Sequence, residues 1–298
     1  MTNSPVKVTS KEQIKQILDE HDTFIFDCDG VIWLGSHVIP GAIETLKLLR
    51  SLNKQVIFVT NNSTKSRKTY TQKFAQFGYD ATKEEVFGSA YAAATYLDKF
   101  VQLPKDSKVW VYGESGIVEE LEELGYECLG GTDERLNEKF SASTTPFLPL
   151  DPKVGAVVAG LDTGMNYHRS AIALQYLLNP DVHFIATNID STFPQKGMIL
   201  PGAGSCIESV AYASGRTPTA CGKPSQNMLD AIVSDKGLDR KRCIMVGDRL
   251  NTDMKFGKDG GLSTLLVLTG IETEKGAFES GVPDYIADSL GVISELYE

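Results

Sequence analysis

Nowhere does this 298-residue chain hold the roughly 20 consecutive apolar residues that a membrane-crossing helix requires. Its first residues, MTNSPVKVTSKEQIKQ, are polar and lack the hydrophobic run of a secretory signal. Cysteine is sparse: five residues, an odd number, scattered and without CxxC spacing. That leaves neither a disulfide framework nor a zinc-binding set, and a reducing, cytoplasmic setting is the simplest expectation. The four histidines, His21, His37, His168 and His183, stand apart with no pair at metal-ligand spacing, and read as packed or solvated side chains. Positive charge is in deficit, at a net -10. This argues against a nucleic-acid partner, which needs a basic patch, but not against anionic substrates, because a local cation outweighs a global charge. Short repeats and low-complexity segments are missing too. The remaining composition, 42% hydrophobic and 23% charged, is that of an ordinary soluble protein, long enough for two domains.

Short apolar runs at 23–26, 55–60, 108–112, 155–159, 183–186, 243–246 and 264–268 alternate with amphipathic segments at 41–52, 67–77, 117–124, 169–178 and 225–236. This alternation predicts parallel sheets covered by helices on both faces. The polar stretch 130–149 reads as a long loop, and 193–204 (FPQKGMILPGAG) as a turn with a connection back to another domain. Glu119-Glu120 with Glu122-Glu123 reads as a solvated helix face, and Gly202 with Gly204 as a hinge or helix-entry turn. The polar motifs at 27–30, 60–62, 223 and 247–253 all lie in the outer thirds of the chain. The expected architecture is therefore α/β: a Rossmann-like parallel-sheet core domain from 1–103 and 204–298, with an α/β cap domain inserted at 104–203.

Asp27-Cys28-Asp29-Gly30 directly follows the run Phe24-Ile25-Phe26. In open α/β sheets, ligands bind beyond the carboxyl ends of strands. Asp27 and Asp29 are two apart and in extended geometry face one side, while Gly30 allows the turn that must follow. Two carboxylates there suit a bound cation, a covalent nucleophile and an acid/base. The same residues also suit a helix N-cap or an Asx turn. Thr60-Asn61-Asn62-Ser63 ends a second strand with groups that hold phosphate oxygens or cap the helix at Arg67. Gly222-Lys223-Pro224-Ser225 offers a point charge for phosphate ahead of a helix whose first position suits Pro224, or a plain surface lysine. Asp248 and Asp253 follow the run Cys243-Ile244-Met245-Val246, with Asp248 the better direct metal ligand and Asp253 placed to orient Lys223. Trp33 reads as a packing residue or as part of the catalytic loop's rim.

The order strand-DxDG, strand-TNN, GKPS, strand-GDRxxTD resembles the haloacid dehalogenase superfamily over essentially the whole chain. Val38-Ile39-Pro40-Gly41-Ala42, Gly160-Leu161-Asp162 with Tyr167, and Ala186-Thr187-Asn188 with Asp190 extend the match. The long insertion between the second and third motifs is similar to the branch with the large α/β cap, which includes 4-nitrophenyl, phosphoglycolate and pyridoxal phosphate phosphatases. The resemblance implies a Mg2+-dependent phosphomonoester hydrolase with Asp27 as nucleophile and Asp29 as acid/base. Asp27, the Asp29 backbone carbonyl and Asp248 would hold the metal, and Thr60, Asn61, Asn62 and Lys223 the phosphoryl group. It further implies a small phosphorylated metabolite as substrate and a homodimer formed through the cap. In the cap stretch NIDSTFPQ, Phe193 falls where pyridoxal phosphate phosphatases carry a histidine, so a phosphoglycolate-like acid is expected over pyridoxal phosphate. A phosphoprotein or pyridoxal phosphate phosphatase and a catalytically silent interaction module are the alternatives.

Overall fold

The computed structural model describes residues 4–195 and 198–297. The first third runs β1 (Val6–Lys7), α1 (Lys11–Glu20), β2 (Thr23–Phe26), β3 (Trp33–Leu34), β4 (His37–Val38), α2 (Ala42–Ser51), β5 (Gln55–Thr60), α3 (Arg67–Gln76), β6 (Val86–Gly88) and α4 (Ser89–Thr95), which continues as a π-helix over Tyr96–Val101. The middle runs β7 (Lys108–Tyr112), α5 (Ser115–Glu123), β8 (Glu127–Gly130), β9 (Val154–Ala159), α6 (Tyr167–Leu177), β10 (His183–Ala186), β11 (Thr192–Gln195), β12 (Met198–Pro201), α7 (Ala203–Ser214) and β13 (Thr219–Ala220). The last part runs α8 (Gln226–Lys236), β14 (Cys243–Gly247), α9 (Lys255–Asp259), β15 (Ser263–Val267), α10 (Glu274–Ser280), β16 (Tyr285–Ala287) and α11 (Val292–Tyr297). No helix among the described residues is long and apolar enough to cross a membrane.

One sheet has seven parallel strands in the order β1-β16-β15-β14-β2-β5-β6. Its central strands are apolar throughout because helices cover both faces. Phe24, Phe26, Val56, Phe58, Ile244 and Val246 enter one cluster, while Ile25, Ile57, Val59, Cys243 and Met245 enter the cluster on the other side. This is the period of two working on a doubly buried sheet. From β2 the chain steps outward to β5 and β6 on one side, and later fills the other with β14, β15 and β16. The reversal opens a crevice at the carboxyl ends of β2, β5 and β14, where such folds bind ligands.

The second sheet has five parallel strands in the order β13-β10-β9-β7-β8. Helices α6 and α7 pack on one face against Trp110, Tyr112, Val157 and Ala159. On the other face α4 and α5 cover Val109, Val111, Ala156, Val158 and Ile185. Both expected domain limits therefore shift. The stripe Ala203, Cys206, Ile207 and Val210 buries α7 against the cap sheet, and β13 extends that sheet, so the cap continues past 203 to Ala220. At the near limit, Ala90, Ala93, Ala94 and Leu97 already lie on the cap sheet's face.

The seven expected strands deviate from the sequence reading by a residue at most: β9 starts one earlier, β14 ends one later and β15 lies one earlier; β1, β6, β8, β13 and β16 of the two main sheets were not expected. Helix α1 was missed, although Ser10 and Gln13 form a capping box and Ile14, Ile17 and Leu18 make its buried stripe. The 130–149 segment is a loop with one 3₁₀ turn over Glu134–Asn137. It is tied down by Leu136, by Phe147 edge-on to Trp110 at 5.5 Å, and by Thr145 Oγ1 at 2.8 Å from His168 Nε2. Pro224 is not a first-turn residue; the helix begins after Ser225, and the Lys223-Pro224 peptide is cis.

Candidate active site

Asp27 stands just beyond the end of β2, and its backbone N–H donates to Val246 O of β14 at 2.9 Å. Lys223 arrives from the return strand out of the cap and is 2% exposed. Its Nζ donates to Asp27 Oδ1 at 2.6 Å and to Val59 O at 2.9 Å, and lies 2.8 Å from Asp253 Oδ1 as an ion pair. Burial works against this ammonium, but the charges of Asp253 and Asp27 outweigh burial and raise its pKa. Oxygens of Asp27, Asp248 and Asp253 converge within 4.8 Å of one another, and all three residues are buried. Burial pushes the Asp27 carboxyl up to about 7 against the pull of Lys223. Burial raises Asp248 as well, reinforced by the charges of Asp253 and Asp27.

The three acids are not equivalent. Asp253 Oδ2 accepts the backbone N–H groups of Asp248 and Arg249, both at 3.2 Å, and its Oδ1 faces Lys223. Its Oδ2 thus shapes the loop after β14, while its Oδ1 pairs by charge with the lysine and accepts no hydrogen bond among the described residues. Asp248 lies in a cradle of two glycines. A Cβ on Gly270 would stand 1.8 Å from Asp248 Oδ2, and one on Gly30, whose φ is +91°, would stand 2.6 Å from it. Only glycine leaves room for the carboxylate at both points. Ile271 N–H donates to Asp248 Oδ2 at 3.2 Å, and Thr269 Oγ1 closes the loop by donating to Gly30 O at 2.5 Å. The segment from Thr269 to Ile271 was not singled out in the sequence, and nothing in its residue types marks it; only the fold brings it to Asp248.

This buried, all-oxygen donor set fits a magnesium ion, which takes oxygen ligands in octahedral geometry and retains several waters. Asp27, Asp248 and Asp253 are the side chains near enough to one another to hold it. Asp29 is exposed, and its Oδ1 accepts the Trp33 indole N–H at 2.8 Å. Cys28, between the acids, is fully buried, and burial followed by the charges of Asp27 and Asp29 pushes its thiol well up.

Thr60 ends β5 and is 1% exposed; its Oγ1 accepts Asn62 N–H at 3.1 Å and lies 3.3 Å from Tyr70 Oη. Asn62 Oδ1 accepts both N–H and Oγ1–H of Thr64, so it shapes a turn. Asn61, expected at the phosphate, also joins the cap to the core. Its Nδ2 donates to Asp190 Oδ2 at 3.0 Å and to Lys223 O at 2.9 Å, and Asn188 Nδ2 donates to its backbone carbonyl at 2.6 Å. Its amide thus fastens the cap loop to the core. Within the acidic run of α5, Glu120 alone departs from a solvated face. Glu120 is 1% exposed, takes Arg67 N–H at 2.6 Å and pairs with Arg67 Nε at 2.9 Å, while Glu119 accepts from Ser66 Oγ. Glu120 thus caps the amino end of core helix α3, where the helix dipole favours negative charge, while Glu119, Glu122 and Glu123 are exposed. Phe193 is half-buried on β11, paired across the hairpin with Leu200, and no ring contact or side-chain hydrogen bond among the described residues ties it to the acids.

A carboxylate crevice at the reversal point of a parallel sheet, roofed by an inserted α/β cap, is an arrangement of hydrolases. The haloacid dehalogenase-like hydrolase family model matches residues 24–127, and a second model of the same kind matches 220–293. The chain belongs to the haloacid dehalogenase-like hydrolases. It is 46% identical to the 4-nitrophenylphosphatase of Schizosaccharomyces pombe, over 97% of this chain and 98% of that one. It is 41% identical to phosphoglycolate phosphatase 2 of Arabidopsis thaliana, over 98% of each. Among solved structures it resembles the glycerol phosphate phosphatase of Mycobacterium tuberculosis in complex with magnesium, with a TM-score of 0.75 and 27% identity over 94% of this chain and 79% of that one. Matched end to end with such relatives, the protein is a phosphatase.

Proposed function

We propose that the protein is a magnesium-dependent phosphomonoesterase that works through a phosphoenzyme at Asp27 and acts on small phosphorylated acids of the phosphoglycolate kind. The observation that carries this reading is the convergence of Asp27, Asp248 and Asp253 within 4.8 Å, with Lys223 between Asp27 and Asp253. Magnesium held by Asp27, Asp248 and the Asp29 carbonyl supplies charge neutralisation between the nucleophile and the phosphate dianion.

An Asp27 carboxylate oxygen attacks phosphorus, the phosphorus–ester oxygen bond breaks, and Asp29 gives its proton to the departing alkoxide. Water then attacks the aspartyl-phosphate and loses a proton to Asp29. The bond from phosphorus to the Asp27 oxygen breaks, which releases phosphate and restores both acids. Lys223 holds Asp27 in line throughout, and the Thr60 hydroxyl lines the phosphoryl pocket.

Two features support a small substrate. The cap grips the 60–67 loop through Asn61–Asp190, Asn188–Asn61 and Arg67–Glu120, which narrows the approach. By the resemblance Phe193 would present the substrate with a ring that has no hydrogen-bonding group, and a buried polar partner left unpaired costs about 1–3 kcal/mol, or roughly 5- to 150-fold. The polar ring of pyridoxal phosphate meets that penalty and a short acid does not. Steady-state hydrolysis of 4-nitrophenyl phosphate, phosphoglycolate and pyridoxal phosphate, each with magnesium and with EDTA, tests the reading. Equal turnover in EDTA refutes the metal, and a higher kcat/KM for pyridoxal phosphate refutes the substrate assignment.

A further inference from the structure

Asp29 poses a geometric problem that the rest of the site does not. Asp27 and Asp248 are buried and held, but Asp29 is an exposed carboxylate on the turn after β2. A free side chain of that kind samples several rotamers, and proton transfer requires one of them. One group restrains it. Trp33 Nε1 stands 2.8 Å from Asp29 Oδ1, and an indole N–H only donates, so the direction of this bond is fixed. A bond from a neutral donor to a carboxylate is charge-assisted and stronger than a neutral pair.

Trp33 is itself immobilised to a degree its position in a turn does not require. It is 0% exposed. Its ring meets Phe74 at 4.9 Å, Phe77 at 5.7 Å and Tyr70 at 6.2 Å, and the Lys73 ammonium lies 3.9 Å over it. Residues 70, 73, 74 and 77 form one face along α3 and its end, so a single helix provides the whole seat. From the other side Trp33 N–H donates to Cys28 O at 3.3 Å and Gly30 N–H donates to Trp33 O at 2.8 Å. The turn that carries both catalytic acids is therefore pinned at its far end by the same residue.

We propose that Trp33 is a positioning residue for proton transfer: its indole N–H holds Asp29 by one oxygen and aims the other at the leaving group and then at the attacking water. The proposal rests on the reading of Asp29 as acid and base. Trp33 touches no reacting atom, and its effect is confined to steps that need a directed proton.

Trp33→Phe keeps a ring in the seat and removes the N–H. Departing nitrophenolate needs no proton, whereas an alkoxide does. kcat/KM reports formation of the phosphoenzyme, so the variant is expected to stay within about threefold of the parent on 4-nitrophenyl phosphate and to fall tenfold or more on phosphoglycolate. Equal loss on both esters, or loss on neither, overturns the proposal. Asp29→Asn serves as the reference. If it too shows no difference between the esters, the acid/base reading fails instead. A second measurement does not depend on how Trp33→Phe folds. The protein has two tryptophans, and the buried Nε1 of Trp110 has no hydrogen-bond partner. In proton–nitrogen correlation spectra of the full chain, Asp29→Ala is expected to move the Trp33 indole N–H signal and leave that of Trp110 in place. An unmoved Trp33 signal overturns the proposal.

Discussion

Replacing Lys223 by methionine keeps most of the side chain's volume and removes a charge on which three buried oxygens depend. Removing one partner from a buried ion pair costs about 3–5 kcal/mol, because the other charge is left uncompensated. Here two carboxylates, Asp27 and Asp253, lose the same cation, and Asp248 adds a third negative group within 4.8 Å. The cost should therefore reach the top of that range in metal-free protein, wherever the acids are ionised. Its pH dependence follows from Asp27. Its carboxyl is raised from 3.8 to about 7 in the folded protein, so the native state binds more protons than the unfolded chain between those values. The stability it contributes is present below about 4 and is lost as pH rises through about 7. Without Lys223 the carboxyl rises further, since that ammonium is what pulls it down. Thermal melts in EDTA should therefore show Lys223→Met close to the parent at pH 4.5 and far below it at pH 8. Magnesium should recover part of the gap by taking over the neutralisation. Identical melting at pH 8 in EDTA would refute the argument that this lysine balances the acids. A gap of the same size at both pH values would assign the loss to packing.

Asp27→Asn should abolish turnover with the fold intact, whereas Asp29→Asn should accumulate a phosphoenzyme from 4-nitrophenyl phosphate; mass spectrometry of the quenched protein separates them, and a trapped adduct on Asp27→Asn would contradict the covalent role. Gly270→Ala drives a methyl group to 1.8 Å from Asp248 Oδ2, so the magnesium concentration for half-maximal activity should rise tenfold or more; an unchanged titration would show that the cradle does not set the Asp248 carboxylate. Glu120→Gln removes the charge that meets Arg67 N–H and Nε, and should cost about 1–3 kcal/mol in denaturant unfolding; a change below 0.5 kcal/mol would return Glu120 to a solvated role. Phe193→His should raise kcat/KM for pyridoxal phosphate relative to phosphoglycolate, and an unchanged ratio would remove Phe193 from the pocket.

Much of the architecture could be read locally. The runs at 23–26, 55–60, 108–112 and 183–186 became β2, β5, β7 and β10 with the bounds expected, because the interior of a doubly buried parallel strand must be apolar on both faces. The candidate acids could be found for the same reason: a polar residue that abruptly ends such a run marks the carboxyl edge of the sheet, where Asp27, Thr60 and Asp248 lie. What did not show was any property that depends on which distant segment meets which. Glu120 looks like one more acid on a solvated helix until α5 is set against the start of α3. Asn61 looks like a phosphate ligand alone until the cap loop places Asp190 beside its amide. Trp33 looks like packing until the turn brings its N–H to Asp29. The cap's far limit was misplaced because α7 and β13 carry the same apolar patterning as core elements, and only the choice of sheet distinguishes them. Periodicity and residue chemistry act over a few neighbours and are written in the chain. Pairing, burial and hydrogen-bond partners depend on how segments meet, whether four positions apart like Asp29 and Trp33 or 196 like Asp27 and Lys223, and exist only in the folded chain.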